Sequence, residues 1–235
     1  LRKKKWGIVF GRRAQQLTAQ TEHRLKLQKF RYSSNPLQIF VALNHQTEYC
    51  YLLESAEGPR KLAQYSFIGF SPEKIIEAKD GLYTERAFGE APATIQTNDP
   101  YLPLRKILAE HSTTYHGFRF VGGLVGYFSY DAIRYLESIP SQARDDLKLP
   151  DFEFGVYDDG IVFDHLNGQA YYYWYKNNRL KKIEQLLAEK TTPASLVVDE
   201  PRVNLRQDEF ESKVTDAKRY IRAGDIFQVV LSKRF

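Results

Sequence analysis

Gly224-Asp225-Ile226-Phe227-Gln228-Val229-Val230-Leu231-Ser232-Lys233-Arg234-Phe235 is the stretch on which the reading of this chain turns. The residues before it predict a helix. Phe210, Val214, Ala217 and Ile221 recur at helical intervals with Tyr220 alongside. Asp208 is expected as its N-cap, with Glu211 three residues on. Arg219 and Arg222 suit the negative end of the helix dipole, and Gly224 suits the left-handed residue just past the last turn. Beyond Gly224 the run of Val, Val, Leu and Phe predicts an apolar strand, which requires neighbours to cover it. The segment therefore reads as part of a longer protein. Gln228 is its polar member, either an outward position of an ordinary half-buried strand or a group placed for chemistry.

The 235 residues, 43% hydrophobic and 14% aromatic, suffice for one large domain or two small ones. Sixteen Tyr and fifteen Phe favour a strand-rich interior. The single cysteine, Cys50, lies in the apolar run Tyr49 to Leu53 and reads as a small core residue. One cysteine fits a reducing, cytoplasmic compartment. No apolar stretch reaches the ~18 residues of a membrane span, and no signal peptide is visible. The net charge of +5 owes much to Arg2, Lys3, Lys4, Lys5, Arg12, Arg13, Arg24, Lys26 and Lys29. No zinc spacing, helix-turn-helix or RNA-binding signature accompanies them, so a solvated basic face is expected and no nucleic-acid partner. The absence of methionine fits a processed or fragmentary chain.

The pattern is α+β. Strands are expected at Trp6 to Phe10, Tyr49 to Leu53, Tyr65 to Phe70 and Leu196 to Val198, and within Phe118 to Tyr127. Leu37 to Leu43 reads as a helix or a strand after Pro36. Asp80-Gly81 joins a hairpin of Ile75 to Lys79 and Leu82 to Phe88. Phe152 to Phe163 and Gln169 to Tyr175 are expected as a hairpin around Asn167-Gly168. Leu102 to Glu110 and Leu180 to Lys190 read as helices, and Thr191 to Ser195 as a linker.

Three further segments carry candidate chemistry. Leu52-Leu53-Glu54-Ser55 ends a strand on an acid and a hydroxyl before Gly58-Pro59. It is either a solvated turn or a contact for an amine-bearing ligand. Gly122-Gly123-Leu124-Val125-Gly126-Tyr127-Phe128-Ser129-Tyr130-Asp131 lacks the spacing of a phosphate loop. Close backbone packing and a turn into a short helix, capped by Asp131, is the better account. Phe163-Asp164-His165 has no metal-ligand spacing, so His165 is expected to play a structural hydrogen-bonding role.

These segments, with Tyr65-Ser66-Phe67-Ile68-Gly69 and Gly224 to Phe235, occur in the order found in the large subunit of anthranilate synthase (component I). The chain resembles the N-terminal half of that chorismate-utilising family from about Pro36 onward. On this reading residues 1–35 are a basic N-terminal segment and 36–190 the component I N-terminal region. Residues 191–235 are a linker and the truncated start of the chorismate-binding region.

The resemblance implies two packed, mostly antiparallel β-sheets with outer helices. It implies ammonia addition to chorismate with pyruvate elimination, the lyase step that opens tryptophan biosynthesis. It further implies a glutamine amidotransferase partner (component II), with Mg²⁺ held by carboxylates in the family's C-terminal half and none in this chain. Residues 1–235 alone are then expected to be inactive. Gln228 takes the place of a water-activating lysine of relatives, and would orient ammonia. Leu53, Glu54, Ser55, Tyr65 and Ser66 would form the L-tryptophan feedback site, with Glu54 on the ammonium. Where the family often carries a basic residue before the Tyr-Ser pair, this chain has Gln64, which weakens the expected inhibition. Aminodeoxychorismate synthase and a non-catalytic amino-acid-binding module remain alternatives.

Overall fold

A computed structural model describes residues 24–31, 35–54, 64–111, 115, 117–141, 144–189 and 198–234. The chain forms two compact units, Leu1–Thr191 and Thr192–Phe235.

In chain order the first unit contains β1 (Lys26–Phe30), α1 (Pro36–Asn44), β2 (Cys50–Glu54), β3 (Tyr65–Phe70), β4 (Lys74–Lys79), β5 (Leu82–Ala87) and β6 (Ala93–Gln96). It continues with α2 (Tyr101–Glu110), β7 (Gly123–Phe128), a short 3₁₀ helix (Tyr130–Tyr135), β8 (Phe152–Tyr157), β9 (Asp159–Asp164), β10 (Gln169–Trp174) and α3 (Leu180–Ala188). The strands form two five-stranded sheets, ordered β1-β10-β9-β3-β2 and β6-β5-β4-β8-β7. Every pairing is antiparallel. This is the expected α+β architecture.

Local chemistry explains several elements. The β4–β5 turn has φ of 49° at Asp80 and 81° at Gly81, the geometry of a two-residue hairpin turn. Asp151 secures it: its carboxylate accepts from the Asp80 backbone N–H at 2.9 Å and from the Tyr135 hydroxyl at 2.6 Å. Leu37 to Leu43 resolves as a helix, because Pro36 opens it and Asn35 caps it by accepting from Gln38 N–H at 2.9 Å.

The sheets are joined at a corner. β3 and β9 are neighbours in one sheet, while their chain continuations β4 and β8 are neighbours in the other. Phe152 to Phe163 is thus two strands that change sheet at Asp158, where the sequence predicted one. The bend falls at Asp158-Asp159-Gly160, a polar break between Tyr157 and Ile161 that the reading of one continuous strand passed over.

Two clusters of charge hold the corner. Arg179 donates from Nε to Asp159 Oδ2 at 2.8 Å and pairs through Nη2 with Asp159 Oδ1. The same guanidinium donates to the carbonyls of Ser71 (3.2 Å) and Phe70 (3.1 Å) and lies over the Phe70 ring. Nearby, Lys176 Nζ lies 2.7 Å from Glu73 and 2.9 Å from Asp158, and His111 Nε2 lies 3.0 Å from Asp158.

The core has three parts. Ile68, Phe70, Ile161, Phe163 and Tyr172 on one face of the first sheet pack against α1 and α3 through Ile39, Leu43, Leu180 and Ile183. The opposite face, with Tyr51, Phe67, Val162 and Tyr173, meets Val121 and Tyr157. Burial on both faces is why Ile161-Val162-Phe163 is continuously apolar. In the second sheet Ile76, Ala78, Tyr83, Phe152 and Val156 pack against Leu104 and Ile107 of α2.

Other expectations need correction. The strand placed within Phe118 to Tyr127 occupies Gly123–Phe128. Phe118 and Phe120 instead pack edge-on against Tyr65 (5.7 Å) and Phe67 (5.6 Å). The glycine stretch does pack backbone closely: a Cβ on Gly126 would come within 1.9 Å of the Glu153 carbonyl oxygen on β8. Asp131 does not cap the 3₁₀ helix; it pairs with Arg134 at 2.7 Å, and Ser129 is the N-cap residue. Trp6 to Phe10, Thr191 to Ser195 and Leu196-Val197 lie outside the described residues, and Val198 is in no strand.

In the second unit, α4 spans Gln207–Ala223. Its N-cap is Arg206, whose backbone N–H donates to Glu209 at 2.9 Å, while Asp208 pairs with the Arg206 guanidinium. The expected Asp208 and Glu211 cap is therefore displaced by two residues. Gly224, at φ 80°, ends the helix, with Asp225 N–H reaching the Tyr220 carbonyl at 3.1 Å. The strand expected after it is absent. Residues 226–234 pair with no strand among the described residues, and a β-ladder exists only between strands. Phe227 and Val230 accordingly stay 92% and 81% exposed.

Two tests follow from the corner. Arg179→Met leaves Asp159, which is 3% exposed, with its charge uncompensated. It should cost about 3–5 kcal/mol in denaturant unfolding, and adding Asp159→Asn should recover part of that. An equal loss in the double variant would remove the clamp from the account.

The second test concerns pH. The hydrogen bond to Asp158 is the main cause that raises the His111 pKa; burial opposes it and the Ile107 carbonyl adds to it. Burial works to raise the Asp158 carboxyl, but His111 and Lys176 outweigh it and hold it well below the usual carboxylate range. His111 stabilisation is therefore complete below the ordinary imidazole pKa of about 6.5 and fades as pH rises through the raised folded value. The stability gap between wild type and His111→Gln should be widest in mild acid and narrow toward alkaline pH. A pH-independent gap would contradict the charged pairing.

Candidate functional site

The candidate site lies at one end of the first sheet, where β2 finishes and β3 begins. The register sets Glu54 opposite Ser66 and Leu53 opposite Phe67. These partners have different fates. β2 is an edge strand, so Glu54 and Leu53 are exposed at its end, Leu53 at 42%. β3 lies between β2 and β9, so Ser66 is fully buried. Its hydroxyl is engaged by His165 Nε2 at 2.7 Å, and His165 N–H donates to the Gln64 carbonyl at 2.9 Å. Asp164 accepts from Leu166 and Asn167 backbone N–H groups at 3.1 and 3.3 Å. Phe163-Asp164-His165 thus shapes a turn and covers Ser66, the structural role expected of His165. Ser55 lies outside the described residues.

Beside this strand end opens a cleft of about 440 Å³ lined by Gln64, Tyr65, Tyr115, Gly117, Phe118 and Arg119. Its aromatic wall is mutually braced: Phe118 meets Tyr65 at 5.7 Å, Tyr115 at 5.8 Å and Tyr171 at 5.4 Å. Gln64 Nε2 donates to the Tyr65 hydroxyl at 2.7 Å. Burial raises the Tyr115 phenol, and the neighbouring Tyr171 and Tyr65 add to the shift. Tyr65, a predicted site residue, is half-buried in this wall. Tyr115, Phe118 and Arg119 escaped the sequence reading, although an arginine between two phenylalanines is a visible departure from an apolar strand.

Elsewhere, Cys50 is half-buried beside the core, and burial pushes its thiol up to about 12, as expected of a packing residue. A second cleft of about 340 Å³ is bounded by Tyr101, Arg105, Phe128 and Leu136, among others. Gln228 belongs to the second unit, where it is exposed in irregular chain after Gly224. This segment is tied down at its far end, where Arg234 N–H donates to Asn204 Oδ1 at 2.8 Å.

Among the described residues one group has metal-ligand character: Glu73, His111 and Asp158, with ligand atoms within 4.8 Å of one another. It does not fit Mg²⁺. That ion wants oxygen ligands in octahedral array, and here the Lys176 ammonium already bridges both carboxylates. The cluster belongs to the corner. Among the described residues no helix is long and apolar enough to cross a membrane.

Comparison with known proteins adds to this geometry. The family model described as chorismate binding enzyme matches residues 85–235. Anthranilate synthase component 1 of Methanothermobacter marburgensis is 39% identical over 197 residues, covering 84% of this chain and 41% of that protein. The protein of the same name from Aquifex aeolicus (strain VF5) is 32% identical, covering 86% and 45%. The crystal structure of anthranilate synthase component I from Streptococcus pneumoniae TIGR4 superposes with a TM-score of 0.51 at 24% identity, over 82% of this chain and 44% of that one. At that identity the superposition speaks for the fold. The chain spans less than half the length of these relatives. With a family model matched over more than half of its residues, and with two antiparallel sheets arranged as in such a structure, the chain belongs to the chorismate binding enzyme family.

Proposed function

We propose that this chain is the N-terminal part of an anthranilate synthase component I. The observation that carries the reading is the ordered set of motifs from Leu52 to Phe235, together with 39% identity to a curated component 1 over 197 residues. In the reaction ammonia adds to the chorismate ring, the ring hydroxyl departs as water, and pyruvate is eliminated to leave the aromatic amine. The lyase assignment, the ammonia-supplying glutamine amidotransferase and the cytoplasmic setting come with this reading. Mg²⁺ would be held by carboxylates of the family's C-terminal half.

Gln228 is the residue proposed to orient ammonia. Its amide is uncharged at any ordinary pH, so it can hold a nucleophile by hydrogen bonding but cannot remove a proton as a general base. Its exposure after Gly224 leaves the side chain available to a facing element. Glu54 and Ser55 are proposed to bind L-tryptophan as feedback effector. An exposed carboxylate at an edge-strand terminus suits the ligand's ammonium group. Ser66 supports this site from beneath, since its hydroxyl is committed to His165. Leu53 and Tyr65 contribute apolar surface.

Both proposals are open to measurement in the complete polypeptide. With ammonia supplied directly, Gln228→Ala should slow anthranilate formation roughly ten- to several-hundred-fold, the worth of a transition-state hydrogen bond. Gln228→Lys should lower the aminated product and allow some isochorismate, read by chromatography. Unchanged anthranilate formation by both variants would return Gln228 to an ordinary surface residue. An aminodeoxychorismate product from wild type would favour the sister enzyme.

For the effector site, Ser55→Ala should raise the tryptophan concentration needed for half-inhibition by about tenfold, the loss of one hydrogen bond. Inhibition that does not move would place the effector elsewhere.

A further inference from the structure

A chain that leaves the end of a long helix can take many paths unless something catches it. In the second unit α4 is about 25 Å long, at 1.5 Å for each of its 17 residues. Gly224 stops it in the left-handed conformation, and the Asp225 N–H bond to the Tyr220 carbonyl at 3.1 Å sets the direction in which the chain leaves. Ten residues past Gly224 the chain is caught. Asn204, three residues before Gln207, donates its backbone N–H to the Arg234 carbonyl at 3.2 Å, and its Oδ1 accepts the Arg234 backbone N–H at 2.8 Å.

Both backbone polar groups of Arg234 are thus engaged by one residue. The pair copies a single rung of an antiparallel ladder, with the asparagine amide oxygen in place of a main-chain carbonyl.

The consequence reaches Gln228. Asn204 lies just before the start of α4 and Gly224 at its end, so residues 225–233 travel back along the helix. Ten residues fully extended reach about 35 Å, against about 25 Å of helix to retrace. The returning chain has little freedom to wander. Gln228 lies between its two fixed ends, four residues from Gly224 and six from Arg234. Burial agrees with this course. Phe210, Val214 and Ala217 are the half-buried positions of α4 and form one stripe, and Leu231 and Lys233 are half-buried in the returning chain.

We propose that Asn204 is a positioning residue for Gln228. By catching Arg234 it fixes the path of residues 225–233, and with it the place at which the Gln228 amide meets ammonia. It acts through the chain and not on a reactant. The inference rests on the reading of Gln228 as the residue that orients ammonia.

The test uses the complete polypeptide with ammonia supplied directly. Asn204→Leu removes the Oδ1 acceptor at similar volume. Asn204→Ala removes it with less bulk, and carries the test where the leucine variant does not fold. Asn204→Asp keeps an oxygen in the same place. Both apolar variants should lower kcat/KM for ammonia about three- to tenfold, the worth of one hydrogen bond, and leave KM for chorismate unmoved. Asn204→Asp should restore most of the loss. Asn204→Ala combined with Gln228→Ala should be no slower than Gln228→Ala alone, because no amide is left to misplace. Losses that multiply in the double variant, or a matching rise in KM for chorismate, would make Asn204 an ordinary structural residue. If Gln228→Ala is slow while both apolar variants of Asn204 run at the wild-type rate, the role of Asn204 is refuted and the reading of Gln228 stands. If Gln228→Ala itself leaves anthranilate formation unchanged, that reading fails and this proposal fails with it.

Discussion

The corner at Ser71–Glu73 and Asp158 is the constraint on which the first unit depends. Two neighbouring stretches of chain leave one sheet and enter the other at the same place, so any relaxation there would uncouple the sheets. Bending a strand exposes carbonyls that the ladder no longer satisfies, and Arg179 takes up two of them, from Phe70 and Ser71. Its charge is balanced by Asp159, which also accepts from the Tyr172 hydroxyl. Because Arg179 immediately precedes α3, the same contact fixes where that helix starts against the sheet. A buried ion pair adds little net stability by itself. Its value here is placement, because the alternative is a carboxylate and several carbonyls left bare.

On either side of the corner, ordinary apolar packing does the rest. The first sheet is covered by α1 and α3 on one face and by an aromatic layer on the other. That layer is full of hydroxyl-bearing rings, and deep burial raises the phenol pKa of Tyr51 and Tyr173. The layer runs outward through Phe67 and Tyr65 to Phe118 and the cleft. The candidate site is therefore the open edge of the core, with its wall held by the same contacts that stabilise the sheet. Sites built on strand ends inherit this rigidity, whereas a loop alone would not provide it.

The split between Glu54 and Ser66 shows how neighbouring strands assign roles. Both are polar residues at a strand end, and both belong to motifs that point to ligand binding. One sits on an edge strand and faces solvent; the other is enclosed, and its hydroxyl is taken by His165. A motif identifies where a site lies more reliably than it identifies which atoms touch a ligand.

By itself the sequence determined the features that local chemistry controls: the Asp80-Gly81 turn, the helices at Tyr101–Glu110 and Leu180–Ala188, the stop at Gly224, and the order of motifs that marks the family. Each depends on contacts within a few residues, and periodicity records those. Only the tertiary structure decided that Phe152 to Phe163 serves two sheets, because the Asp158-Asp159-Gly160 interruption marks a bend without saying which strands will flank each side. It alone buried Ser66, brought Arg119 beside Gln64 and Tyr65, and joined Glu73, His111, Asp158 and Lys176 at the corner. It also withheld a strand from residues 226–234, since strand propensity becomes a strand only where a second strand supplies hydrogen-bond partners. These outcomes depend on residues distant in the chain, and the spacing of residues along it carries no record of them.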